Sequence, residues 1–373
     1  MKKITAFSAL IALSLTACQP AADDGKDSIK IGLITPLTGE VAALGMDILH
    51  GTQLKLKEIN EAGGIDGRMV ELIAEDGKCT GSDAASAAQK LIHIDKVVAI
   101  EGAGCSGETL AAAPIAEEAK IILISPSSTS PDITDAGDFV FRTNPNDDLK
   151  TTAMANYFKE NDLGKVAIIS ENTDFAVAFH DSLEGKIGED AFVFDEVVEP
   201  GTKDYRTLMT RLSDVDFDVF VVNANLPPSA AIMVQQLREQ GLEQLAIGQD
   251  VSDATEVIKL AGEASEGLQV INVPTIGHNT KFGQKFLAEY GEPSANMSWG
   301  AYGYDTLGVL LQAIAKVGTD SEAIRDYFYD LDGYRGVVGT FAFDENGDVT
   351  GIRYALKEVQ NGEFVKIEDI DVN

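Results

Sequence analysis

The sequence predicts an α/β protein of two lobes, each a parallel sheet covered by helices. Three observations predict it. Short apolar runs such as Ile29 to Ile34 and Ile121 to Ile124 lack polar alternation, as strands buried on both faces require. They alternate with longer segments of helical period, the pattern of βα units. Two such series follow one another in 373 residues, a length that suits about two domains.

The first series opens with strand Ile29 to Ile34 and a loop from Gly39 to Gly45. Ile48, Thr52, Leu56 and Ile59 then recur at helical spacing between Met46 and Asn60, and Ala62-Gly63-Gly64 stops that helix. Val70 to Ala74 is a strand. Ser82 to Ile94 is an Ala-rich helix with Ser82 as its expected cap. Val97 to Ile100 and Ile121 to Ile124 are strands flanking helix Glu108 to Ala119. In the second series helices Leu149–Glu160, Ala176–Ile187, Asp204–Leu212 and Ser229–Gln240 alternate with strands at Val166, Phe192, Val219 and Leu245. Leu268 to Val273 is a further strand. Helices follow at Thr280–Tyr290, Ala301–Val317 and Ser321–Leu331. Thr340 to Phe343 and Val349 to Leu356 then read as a hairpin across Asn346-Gly347. Ligands of such lobes bind at the carboxyl ends of the strands.

Charge and the amino terminus bound the function. Lys and Arg number 29 against 60 Asp and Glu, a net charge of −31, which repels phosphate backbones and excludes nucleic acid as a partner. Lys2 and Lys3 precede the apolar stretch Ile4 to Thr16, the layout of an export signal too short to span a bilayer. Leu15-Thr16-Ala17-Cys18 resembles the bacterial lipobox, so the mature chain is expected to start at a lipidated Cys18, tethered through residues 18–28 to a membrane surface. Cys79 and Cys105 then remain, either as a disulfide in an oxidising compartment or as two buried thiols.

Several motifs carry candidate chemistry. Gly102-Ala103-Gly104-Cys105-Ser106-Gly107 matches G-x-G-x-x-G, but it follows the third strand, and no acidic residue ends a strand about 20 residues on. Exposed amides at a helix N-terminus with the Ser106 hydroxyl suit a small carboxylate better than a dinucleotide. The nucleophile-elbow pattern fails because Glu108 stands where glycine is required. His50, His93, His180 and His278 form no metal-ligand spacing, so no metal and no cofactor is expected. Asp344-Asn346-Asp348 opens like a calcium loop but lacks its Gly and final Glu. Ser125 to Pro131 offers hydroxyls and amides at a strand's carboxyl end.

Together Ile34-Thr35-Pro36-Leu37-Thr38-Gly39, Asn60-Glu61-Ala62-Gly63-Gly64-Ile65-Asp66-Gly67, Glu75-Asp76, Gly104-Cys105-Ser106, Ile124-Ser125-Pro126 and Tyr302-Gly303-Tyr304-Asp305 resemble the leucine/isoleucine/valine-binding protein family. These are the substrate-binding proteins of branched-chain amino-acid ABC transporters. The resemblance runs from about Ile29 to near the C-terminus. It implies two doubly wound parallel-sheet lobes joined by three crossovers, the type I periplasmic-binding-protein fold, with residues 1–17 a signal peptide. One lobe would hold 29–147 and 275–352, the other 148–274 and 353–373. It implies the Cys79–Cys105 bridge, an ABC permease partner, a small-molecule ligand and no catalysis. Carried over by position, Ser106 and Thr129 would hold an α-carboxylate and α-amine, the Ser127 carbonyl would accept from the amine, and Asp250 would pair with the ammonium. Phe175, Leu44 and Tyr302 would line the side-chain pocket. The family often has a Tyr near Leu226, which cannot donate; Asn223 or Asn225 would substitute. Leu44 also replaces a larger aromatic, which leaves room for a urea, amide or carboxylate ligand as the alternative. Ligand sensing and an exported enzyme are the rival functions, and no nucleophile–base pair supports the second.

Overall fold

The computed structural model describes residues 27–370. The expected signal peptide, Cys18 and nearly all of the tether lie outside the described residues. The first series forms β1 (Ile29–Thr35), α1 (Ala42–Glu61), β2 (Val70–Asp76), α2 (Gly81–Lys90), β3 (Ala99–Gly102), α3 (Ser106–Ala119), β4 (Ile122–Ser125) and β5 (Val140–Arg142). The second forms α4 (Asp147–Glu160), β6 (Val166–Glu171), α5 (Asp174–Ile187), β7 (Phe192–Val198), α6 (Arg206–Leu212), β8 (Val219–Asn223), α7 (Pro227–Glu239), β9 (Leu245–Gly248), α8 (Thr255–Ala261) and β10 (Gln269–Asn272). Then come α9 (Lys281–Tyr290), α10 (Met297–Val317), α11 (Ser321–Tyr329), β11 (Tyr334–Arg335), β12 (Thr340–Phe343), β13 (Val349–Thr350), β14 (Tyr354–Gln360) and β15 (Glu363–Ile370).

The two series pair alike. The first sheet runs β2-β1-β3-β4-β5, parallel throughout. The second runs β7-β6-β8-β9-β10, also parallel, and is extended by antiparallel β14 and β15. In each sheet the order reverses beside the first strand of its series, a switch point where loops splay apart and leave a crevice. The chain passes between the sheets three times: between β5 and α4, between β10 and α9, and between β13 and β14.

Burial follows from that layering. One face of the first sheet packs Ile29, Ile31, Ile122 and Ile124 against Leu307, Leu310 and Ile314 of α10. Its other face packs Ile34, Ile100 and Leu123 against the alanines of α2 and α3. The second sheet is covered likewise by α6 to α8 on one face and by α4 and α5 on the other. Helices α1 and α10 approach closely. A Cβ on Gly51 would stand 1.8 Å from the Gly300 carbonyl oxygen, so only glycine fits there.

The expected elements need corrections at their ends. Helix α1 begins at Ala42, inside the expected loop, so Leu44 lies on a helix. Thr80, not Ser82, caps α2, accepting from the Asp83 N–H. The hairpin ends at Thr350: Phe343 pairs with Val349, while Tyr354 onward joins the second sheet. That single apolar stretch is divided between two sheets by a crossing, which periodicity does not register.

Candidate functional site

The carboxyl ends of both sheets face each other across one cleft. Its volume is about 100 Å³, against roughly 10–15 Å³ for a single water on the same measure. That is room for a molecule the size of one amino acid. The first wall comes from the start of α1 (Leu44, with Val41 just before the helix), the loop after β2 (Cys79), the loop after β3 with the start of α3 (Gly104 to Gly107), and Ser127 after β4. The second wall comes from the loop after β6 with the start of α5 (Thr173, Asp174, Phe175), Asn225 after β8, and Asp250 and Val251 after β9. Trp299 of α10 closes one end.

The first wall is built to receive an anion. The N–H groups of Ser106 and Gly107 stand at the first two positions of α3, where a helix supplies no internal acceptor. Ser106 Oγ accepts from the Ser130 N–H at 3.3 Å. Cys79 and Cys105 are bonded, with Cα atoms 5.4 Å apart. Glu108 lies beneath them, fully buried, and accepts from the Cys79 N–H at 2.7 Å and the Cys105 N–H at 2.9 Å. Burial pushes its carboxyl up to about 7 against the pull of these amides. Gly104 has its own reason: a Cβ there would stand 2.6 Å from Pro36 Cδ and from Thr35 Oγ1. Serines at and just after the end of β4 stitch the two loops together. Ser125 Oγ donates to the Ala103 carbonyl and Ser127 Oγ to the Gly104 carbonyl, each at 2.7 Å.

The second wall centres on carboxylates. Asp250 is 6% exposed, and its Oδ1 accepts from Lys150 Nζ at 2.5 Å. Lys150, itself 1% exposed, also donates to Asp147 Oδ1 at 2.6 Å. Asp147 Oδ2 accepts from Thr129 Oγ1 at 2.8 Å. Burial, opposed by Lys150 and aided by Asp250, raises Asp147 to about 6. Burial works against the Lys150 charge, but the two aspartates outweigh it and hold its pKa high. Nearby, buried Glu171 accepts from the Asn225 N–H at 2.6 Å, the Gly201 N–H at 2.8 Å and Ser229 Oγ at 2.8 Å. The walls come close beside α3. A Cβ built on Gly107 would stand 2.3 Å from Asp174 Oδ2, so α3 and α5 meet N-terminus to N-terminus across the cleft.

Six of the eight residues that the resemblance implies line this cleft: Leu44, Ser106, Ser127, Phe175, Asn225 and Asp250. Two do not. The Thr129 hydroxyl is spent on Asp147, behind the wall. Tyr302 is buried among Met154, Phe179 and Tyr354 where α10 meets the second sheet. Asn223 is locked inside by Ser170, the Ala176 carbonyl and Gln249, and Leu226 is buried as the cap residue of α7. Lys150, Glu171, Asp174 and Trp299 escaped sequence reasoning. One histidine also has company that spacing did not suggest. His180 Nε2 lies 2.9 Å from Asp195 and Nδ1 lies 3.1 Å from Asp181, with Glu184 one turn on. Burial opposes its charge, yet these carboxylates raise its pKa, so the group reads as an ion-paired surface histidine on α5.

Comparison with known proteins agrees with this architecture. The chain is 29% identical over 348 residues to the Leu/Ile/Val-binding protein BraC3 of Rhizobium johnstonii, covering 91% of this chain and 94% of that one. It is 28% identical to the leucine-, isoleucine-, valine-, threonine-, and alanine-binding protein of Pseudomonas aeruginosa, over 89% and 90% of the two chains. Among solved structures, the leucine-binding protein LivK of Thermotoga maritima superposes with a TM-score of 0.82 at 29% identity, over 92% of this chain and 99% of that one. LivJ of Streptococcus pneumoniae, in complex with isoleucine, gives 0.80 at 28% identity, over 91% and 99%. The family model described as periplasmic binding protein matches residues 28–363, and the chain belongs to that family.

Proposed function

We propose that the protein is the extracytoplasmic substrate-binding component of an ABC transporter, capturing a small amino acid of branched-chain type between its lobes and presenting the closed form to a permease. The observation that carries this is the pair of opposed walls: an anion-receiving helix terminus with Ser106 on one side, the Asp250 carboxylate on the other. A buried zwitterion needs both charges met. Leu44, Phe175 and Trp299 supply the apolar surface for a side chain. The relatives named for leucine, isoleucine and valine binding support that ligand class. Binding is by population shift: a ligand that touches both walls favours the closed form. The two cysteines in the cleft wall are bonded to each other. We also infer that lipid on Cys18 anchors the chain at a membrane, with lobe boundaries inside the three crossing segments.

A second reading, a small carboxylate or amide without an ammonium group, draws on one observation: Asp250 already has a counter-ion in Lys150. A thermal-shift screen of the purified protein against the amino acids, urea, short amides and small carboxylates separates the two. A ligand at about 1,000 times its dissociation constant adds roughly 4 kcal/mol to stability, a plain shift. A response to leucine, isoleucine or valine supports the amino-acid reading. Silence from every amino acid with a response to an acid or amide supports the second. For the anchor, Cys18→Ser is expected to leave the protein in the soluble fraction on cell fractionation, and continued membrane association would refute it.

A further inference from the structure

The buried chain Thr129–Asp147–Lys150–Asp250 runs from the first lobe's serine-rich loop, through the first turn of α4 just past the first crossing, to the second wall of the cleft. We propose that Lys150 is a positioning residue for ammonium recognition, holding Asp250 by one oxygen and joining it to Asp147 in a cluster of net negative charge that selects a cationic ligand group over a neutral one. The proposal rests on the amino-acid reading of the cleft.

The charge count is what decides. Lys150 alone would cancel Asp250 and leave the wall neutral. Asp147 adds a second carboxylate on the same ammonium, so one cation faces two anions, each within 2.6 Å. The surplus negative charge lies in a buried setting where it is weakly screened. Lys150 Nζ takes Oδ1 of Asp250, a residue of the cleft lining, so Oδ2 is the oxygen that Lys150 leaves for a ligand. A ligand ammonium arriving there makes the cluster neutral. A neutral ligand group leaves it charged and desolvated, which is costly.

The same geometry makes recognition depend on pH. Protonating Asp147, which titrates at about 6, cancels the surplus charge. Affinity for an ammonium is therefore full above about pH 6 and declines below it, by at most about tenfold per pH unit for one proton. Leucine's own groups do not titrate between about pH 5 and 8. Other charged or titratable groups face the cluster. They are Tyr354 of β14 and Tyr302 of α10, both with pKa raised by burial, the Asp253–Lys357 pair, and Arg142 with Asp348 at the end of β5. Glu108, across the cleft, titrates near 7 and acts with the opposite sign on the ligand's carboxylate. The difference between variants isolates Asp147 from it.

The test is a titration of the purified protein from pH 5 to 8, read by the fluorescence of Trp299, the single tryptophan, which lines the cleft. The probes are L-leucine and 4-methylpentanoate, the same skeleton without the amine. The wild type is expected to bind leucine with an affinity that falls below about pH 6. Lys150→Met is expected to weaken leucine about tenfold or more at pH 7.5 and to move the decline to higher pH, because Asp250 loses the partner that positions it and the two carboxylates, left without a counter-charge, hold a shared proton that the ligand ammonium must displace. Its affinity for 4-methylpentanoate should stay within about twofold, a split that general loosening of the site would not produce. Asp147→Asn, the milder variant if Lys150→Met fails to fold, should abolish the decline near pH 6. Unchanged leucine affinity and pH profile in a folded variant, or equal losses for both probes, would overturn the role of Lys150 while leaving the amino-acid reading intact. No leucine binding by the wild type at any pH, with 4-methylpentanoate bound, would overturn both.

Discussion

Single side chains set the chemistry of the cleft. Asp250→Asn removes the negative charge that would meet a ligand ammonium and leaves Lys150 with Asp147 as its one anionic partner in this cluster. Truncating one member of a buried charge pair costs about 2–5 kcal/mol in binding, so calorimetry should find leucine affinity lost or barely measurable. Reducing the Cys79–Cys105 bond frees the loop beneath Ser106. With the cysteines 26 positions apart in sequence, the entropic account predicts about 3 kcal/mol less stability, seen as a lower denaturant midpoint with reductant present. A residue's place in the cleft was legible where a motif fixed it. Gly104-Cys105-Ser106 led to the first wall because its glycine, cysteine and serine each answer a local need. Lys150 and Glu171 were not legible. Lys150 meets Asp250 100 residues away, and a lysine in a helix reads as surface until its partners are known.

Helices and strands explain what the family's signature segments do, and most of it is architecture. Asn60 pairs its side-chain amide with both backbone groups of Val70 at 2.9 Å, pinning the end of α1 to β2. Asp76, at the end of β2, accepts from the Leu37 N–H at 2.8 Å and holds the turn after β1. Tyr302-Gly303-Tyr304-Asp305 is a packing device on α10. Gly303 admits α1, Tyr304 donates to Glu58, and Asp305 accepts from the Val338 N–H at 2.8 Å. This is why Tyr302 was assigned to the ligand from resemblance and found in the core instead. The α1–α10 seam gives an element-scale prediction. Gly51→Ala drives a methyl into the Gly300 carbonyl, and overpacking of this kind costs about 1–3 kcal/mol. The denaturant midpoint should fall with little change in slope. Strand and helix existence was read from apolar runs and period. The division of residues 349–356 between two sheets was not, because a crossing leaves no mark on hydropathy.

At the scale of the molecule, two sheets of like topology bring both switch points to one cleft, and three segments of chain cross between them. The sequence has no visible repeat, so the matching strand order is a property of the fold alone. Closure depends on contacts that spare room. Gly107→Ala would push a methyl toward Asp174 where α3 meets α5. Holding the lobes apart there should weaken ligand affinity by about 1–3 kcal/mol, roughly one to two orders of magnitude, while thermal stability without ligand stays unchanged. The central claim is that the cleft grips a zwitterion from both sides. Titration calorimetry of the wild-type protein at pH 7.5 with L-leucine, then with 4-methylpentanoate, tests it most directly. The account predicts that leucine binds and that its deaminated analogue is rejected by about 2–5 kcal/mol, the cost of leaving the surplus negative charge of the Asp147–Lys150–Asp250 cluster without a cation. Equal affinity for the two, or binding of the analogue alone, would contradict it.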